Sequence, residues 1–248
     1  AYRSAPIQIH FWGSGSSSGA SFIDYIITTD MAVPKEHDHH YCESIIRLPF
    51  WCQARHKINC INDHHITRKD MGLPEHGFVI CSFNNNYKLS PKEFDIWMRL
   101  LNEVENSVLW IYKSNKWVEK NLIKEALKRG VSKDRLVFAE QVRHDVHLER
   151  LKLADVFVDT FNVTAGATAG DALWAGLPLV TKLGISQHAR GAGYILASVE
   201  MHELITNTEQ EYEALLLDLA NNSQRLSKIK LKLAAKRSSA PLFNLGLF

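Results

Sequence analysis

The sequence is poor in several features that would settle its class quickly. Only four cysteines occur in 248 residues, Cys42, Cys52, Cys60 and Cys81, and no two form a Cys-x-x-Cys pair. That argues against a disulfide framework and points to free thiols in a reducing, cytoplasmic setting. A zinc site from Cys52, Cys60, His64 and His65 is conceivable, but its spacing matches no common closed site, so no metal is expected. Excess charge is scarce: 29 Lys and Arg against 27 Asp and Glu leave a formal +2, too balanced for binding nucleic acid by bulk electrostatics. No apolar run approaches the length of a membrane span, no secretory signal pattern opens the sequence, and no internal repeat is visible. The Gly-x-Gly-x-x-Gly dinucleotide fingerprint is missing as well.

What is present is a good core former, 46% hydrophobic and 23% charged, long enough for one large domain or two smaller ones. Pro6 to Trp12 and Phe22 to Thr28 read as strands flanking an ordered Gly/Ser loop. Residues 30–76 read as irregular, rich in His and Pro. From Gly77 the pattern becomes regular. Phe78–Phe83 is a continuous apolar strand, expected when both sheet faces are covered. Ser90, Pro91 and Glu93 are helix-start signals, and apolar residues at helical spacing follow. Further strands are expected at 107–112, 136–138, 156–159 and 179–181. Helices are expected at about 118–127, 145–152, 167–175, 209–220 and 223–236. Strands alternating with helices predict an α/β fold with a parallel sheet and right-handed crossovers.

Two stretches follow strands and precede helices, the place where open α/β sheets bind anionic ligands. The first is Phe83-Asn84-Asn85-Asn86-Tyr87-Lys88; the second runs from Thr164 through Gly166, Ala167, Thr168 and Asp171 to Pro178. Lys88 is suited to the charge that develops on a diphosphate leaving group, although a lone loop lysine is more often simply solvated. Thr168 offers a hydroxyl and an amide. Asp171 either accepts from ribose hydroxyls or stabilises the positive end of its helix. His147 either stacks on a base or hydrogen-bonds a ribose, or it is a surface histidine. The lysines from Lys228 to Lys236 read as the wet face of a helix.

These stretches, with Ala5–Gln8, Gly19–Thr28, Asn106–Trp110 and Leu153–Val156, resemble the C-terminal catalytic part of the protein O-linked N-acetylglucosamine transferases, glycosyltransferase family 41. The resemblance covers nearly the whole chain, and its short 30–76 link looks like that of bacterial members. It implies a GT-B fold whose Rossmann-like C-terminal lobe is a parallel sheet flanked by helices. The implied divisions are remnant first-lobe strands (1–30), an interlobe connection (31–76), the UDP-sugar-binding lobe (77–205) and C-terminal helices (206–248). The implied activity is inverting transfer of N-acetylglucosamine from UDP-GlcNAc to Ser or Thr of a protein acceptor, with no metal or other cofactor. A first lobe bearing the catalytic base and helical TPR-type repeats are implied upstream, as further partners of these residues.

By position, Lys88 matches the catalytic lysine that holds the diphosphate. His147 matches the histidine beside the uracil, Val142 a backbone group that reads it, Thr168 a diphosphate-binding threonine, Asp171 the ribose-binding aspartate, and Gly13 the interlobe loop near the sugar. Four positions depart: Asn85 stands for a glutamine, His144 for a ribose-contacting lysine, and Gly166 and Ala167 for the first two members of a His-Thr-Thr triplet. The departures leave open a non-catalytic UDP-binding or regulatory module, or a transferase that uses another sugar.

Overall fold

In the computed structural model, residues 3–11, 15–49, 65–237, 239–244 and 246 are described. Two parallel sheets organise them. The larger contains β4 (Val79–Ser82), β5 (Val108–Tyr112), β6 (Leu136–Ala139), β7 (Val156–Val158), β8 (Leu179–Lys182) and β9 (Ile205–Thr206), in the order β6-β5-β4-β7-β8-β9. The smaller contains β1 (Ile9–His10), β2 (Tyr25–Thr29) and β3 (Ser44–Leu48), in sequence order.

Helices cover both faces of the larger sheet, so its strands need no polar side; all four residues of β4 are buried. α1 (Pro91–Glu103) starts on a Ser90/Glu93 capping box with proline in its first turn, as the sequence predicts. Asn115 caps α2 (Lys116–Lys128) by accepting from the Trp117 and Val118 amides. α3 (His144–Leu151) precedes β7 and α4 (Ala167–Ala175) precedes β8. α4 stops at Gly176, whose φ of +84° lies in the left-handed region.

α5 (Gly191–Ala197), α6 (Glu209–Asn221) and α7 (Ser223–Arg237) complete the lobe. α6 is tied into the centre: the Trp97 indole donates to the Tyr212 hydroxyl at 3.1 Å, and that hydroxyl donates to the Asp159 carbonyl at 3.1 Å.

Three elements differ from the sequence reading. The 30–76 stretch, read as irregular, contains β3, which pairs with β2 in full register from Tyr25↔Ser44 to Thr29↔Leu48. A five-residue strand broken by Arg47 carries little periodic signal, and its stabilising partner lies outside the local window. α5 opens on Gly-Ala-Gly, which reads as a breaker rather than a helix start. β9 is only two residues long, recognisable by its pairing with Thr181 and Lys182.

Candidate functional site

The chain runs from β4 outward to β5 and β6, then returns past β4 to β7, β8 and β9. The order therefore reverses between β4 and β7, the switch point at which open α/β sheets take ligands. Both motif stretches leave the carboxyl ends of these two strands.

Asp159 fixes this point. It is fully buried, and its Oδ1 accepts from Asn84 Nδ2 (2.8 Å), the Thr160 amide (2.9 Å) and the Ala165 amide (2.8 Å), while Oδ2 accepts from Thr181 Oγ1 (2.7 Å). Burial outweighs those hydrogen bonds, which favour the carboxylate, and leaves its pKa raised at about 6. Asn84 is also buried; it donates to Thr160 Oγ1 and accepts from Thr168 Oγ1, both at 2.9 Å. Because Asn84 spends its amide hydrogens on Asp159 and Thr160, the Thr168 hydroxyl must be the donor in the last of these bonds. That leaves the Thr168 backbone amide, rather than its hydroxyl proton, to meet an anion.

Lys88 ends a single 3-10 turn after β4, and its Nζ donates to the Thr164 carbonyl at 3.1 Å. Partial burial lowers its pKa, and the negative charge of Asp159 opposes that shift. Gly166 sits at the N-cap of α4 and provides no side-chain cap. The first-turn amides are thus left to a ligand or water, the usual condition for phosphate at a helix start. Asn85, Lys88, Gly166, Ala167 and Thr168 all line one open cleft of about 440 Å³, together with Tyr112, Thr164, His188 and Tyr194.

The other expected residues cluster beside this cleft, across α3 and α4. Asp171 is buried as the fifth residue of α4, with Oδ1 3.1 Å from His144 Nε2. That position lies beyond the first turn, where the helix-dipole effect has faded. His147 packs edge-on against Phe83, a residue that lines the cleft, with ring centroids 5.0 Å apart. Its Nδ1 accepts from Arg150 Nε at 3.0 Å, so the neutral ring carries its proton on Nε2, as a donor. Burial first, and the Arg150 charge second, lower its pKa to about 4. Val142, half-buried, precedes α3 by two residues. Gly13, Cys52, Cys60 and His64 lie outside the described residues.

Sequence reasoning passed over Arg150. It is buried under the site, with its guanidinium 4.7 Å from the Phe83 ring and Nη1 donating to the Glu140 carbonyl at 2.7 Å. Its position one turn after His147 on α3 was the available signal.

The model of glycosyltransferase family 41 matches residues 1–66 and 58–248. The chain belongs to that family. It is 33% identical over 250 residues to the probable UDP-N-acetylglucosamine–peptide N-acetylglucosaminyltransferase SEC of Arabidopsis thaliana, covering 98% of this chain and 26% of that protein. It is 32% identical over 178 residues to the UDP-N-acetylglucosamine–peptide N-acetylglucosaminyltransferase of Caenorhabditis elegans, covering 72% of this chain and 16% of that protein. The family 41 chain thus spans about a quarter or less of these relatives. In fold it is similar to the Thermobaculum terrenum O-GlcNAc transferase mutant, with a TM-score of 0.85 and 23% identity over 96% of this chain and 45% of that one. The architecture is that of a GT-B glycosyltransferase, an α/β fold with a parallel sheet flanked by helices. Among the described residues, no helix is long and apolar enough to cross a membrane.

Proposed function

We propose that the cleft at the β4/β7 switch point binds the diphosphate of a UDP-sugar, and that the chain is the donor-binding part of an enzyme that transfers N-acetylglucosamine to Ser or Thr hydroxyls of proteins. One observation carries the reading: Lys88, from the first motif, donates to Thr164 of the second, where the α4 amides have no side-chain cap. In transfer, the acceptor oxygen forms its bond to the anomeric carbon as the bond to the diphosphate oxygen breaks, with inversion. The electron pair leaves with UDP, whose growing charge meets the Lys88 ammonium and the α4 amides. The hydroxyl proton passes to a base expected on the first lobe, outside these residues.

In the same reading, His147 and the Val142 main chain border the uracil, Asp171 and His144 meet the ribose, Asn85, Gly166, Ala167 and Thr168 contact the diphosphate, and Gly13 lies near the sugar. No metal takes part, in keeping with a lysine and amides assigned to the leaving group. The whole protein would hold a first lobe and TPR-type repeats that bind the acceptor, in the cytoplasm. The division at 1–30, 31–76, 77–205 and 206–248 and the bacterial type belong to this proposal, the latter supported by the short 30–76 link.

The test is transfer from UDP-GlcNAc by the full-length protein. Lys88→Ala should lower kcat by at least about 1000-fold, and near-normal turnover would remove Lys88 from the mechanism. A second reading rests on Gly166 and Ala167, which offer no side-chain donors to phosphate: UDP binding without turnover would make the protein a regulatory module. Tighter GDP than UDP binding would indicate a different donor.

A further inference from the structure

The Gly/Ser loop before β2 is held by a buried acid. Glu43 is 4% exposed and precedes β3 by one residue. Its Oε2 accepts from Ser17 Oγ at 2.7 Å, and its Oε1 accepts from the Ser18 amide at 2.7 Å and from the Ser18 hydroxyl. Two residues earlier, the Tyr41 hydroxyl donates to the Gly15 carbonyl at 3.0 Å. Burial alone would raise the Glu43 pKa; the Ser18 and Ser17 hydrogen bonds outweigh it and hold the group at about 2. No cation pairs with it among the described residues. A buried carboxylate that depends mainly on loop donors would be costly if those donors left, so Glu43 and the loop fix one another.

The pinned loop presses on the other lobe. A Cβ at Gly15 would lie 2.0 Å from Gln187 Oε1 and 2.3 Å from its Cδ, so the loop packs directly on the amide end of the Gln187 side chain. Gln187 is itself buried and begins the 3-10 turn Gln187–Arg190. Arg190 fastens the far end of that turn, donating from Nε to the Met31 carbonyl (2.8 Å) and from Nη1 to the Gly184 carbonyl (3.0 Å). Between these anchors, the His188 carbonyl accepts both the Thr164 amide and the Thr164 hydroxyl, each at 2.9 Å. Thr164 in turn offers its carbonyl to Lys88 Nζ.

We propose that Glu43 is a positioning residue for the donor pocket: by fastening the Gly15–Ser18 loop it seats the Gln187–Arg190 turn, and that turn holds the Thr164 carbonyl where it receives Lys88. The route crosses from the small sheet to the switch point through named contacts, with one packing step at Gly15–Gln187. Its bearing on the donor rests on the proposed reading of the cleft; the mechanical coupling does not.

Hydrogen exchange in the full-length protein separates the two. Glu43→Gln keeps the size of the side chain but removes its charge. Exchange should quicken at 15–19, 163–166 and 186–191 and stay unchanged in α1, and UDP should bind about tenfold more weakly, with the KM for acceptor unmoved. Unchanged exchange at 163–166 and 186–191 overturns the proposal, as does a uniform rise that follows a lower Tm. Faster exchange with unaltered UDP affinity also overturns it. A wild-type protein that binds no UDP would instead sink the reading of the cleft, while the exchange result still decides the coupling.

Discussion

At the Lys88 end of the site, Lys88 and Asn85 apart, the pocket is made of main chain held by buried polar side chains that bond one another, whereas at the His147 end, the Val142 main chain apart, the groups that would meet a ligand are side chains on the α3–α4 flank. Asn84, Asp159, Thr160, Thr168 and Thr181 form one closed set around the switch point. His144 faces Asp171, and His147 meets Phe83 and Arg150. A main-chain cradle tolerates changes of side chain as long as its supports persist. A side-chain reader does not, because its chemistry is the side chain. This would account for Gly166 and Ala167 standing without hydroxyls in the proposed phosphate loop.

The strongest way to break the contrast is to remove the central support. Asp159→Ala strands two backbone amides, one asparagine N–H and a threonine hydroxyl in the interior, and urea unfolding should show a loss of at least about 3 kcal/mol. A smaller loss would mean that the donors find other partners and the set is not closed. Next in size, Asp171→Asn removes the charge from the proposed ribose side and should weaken UDP binding about tenfold by calorimetry, with little change in Tm. The opposite result, a lower Tm at full affinity, would make Asp171 a packing residue.

The pH dependence of stability sharpens the same contrast. Burial raises Asp159 from 3.8 to about 6, so its protonated form favours the fold. That contribution is present below about pH 4 and lost as pH rises through about 6. His147 runs the other way. Lowered from 6.5 to about 4, mainly by burial, it favours the fold while neutral, and its contribution is lost as pH falls from 6.5 through about 4. In His147→Gln, unfolding free energies measured from pH 4 to 7 should lose the rising component and leave the falling one; an unaltered profile would show that His147 does not titrate in that window. The smallest effect belongs to Gly166→Ala. An added Cβ there meets nothing within 4 Å at a φ of −110°, so UDP affinity should stay within about twofold. A large loss would show that the backbone at Gly166 approaches the ligand too closely for a methyl group.

The alternation of strands and helices was legible because each signal was local: apolar runs at 79–82 and 108–112, the Ser90/Glu93 box, and glycines after α2 and α4. β3 was not, because the evidence for it is its partner β2. The pairing of the two motifs could be inferred from their common position after strands, yet the depth at which Asn84 and Asp159 are buried could not. Arg150 was hidden for the same reason: a long cation on an amphipathic helix reads as solvated, and only the stacking of Phe83 and Trp110 against it shows otherwise. Buried polar groups carry no periodic mark, and in this molecule they shape the site.

The strand order also governs when this pocket can exist. Ile80 of β4 pairs with Val156 of β7, so one edge of the central strand stays open while β5 and β6 are being made. At about 5–20 residues per second, a ribosome needs roughly 4–15 seconds to supply the missing strand. Throughout that interval a strand destined for complete burial has an unsatisfied edge, and Lys88 has no Thr164 carbonyl to meet. The newborn chain is therefore open to mispairing at the very seam that later borders the cleft.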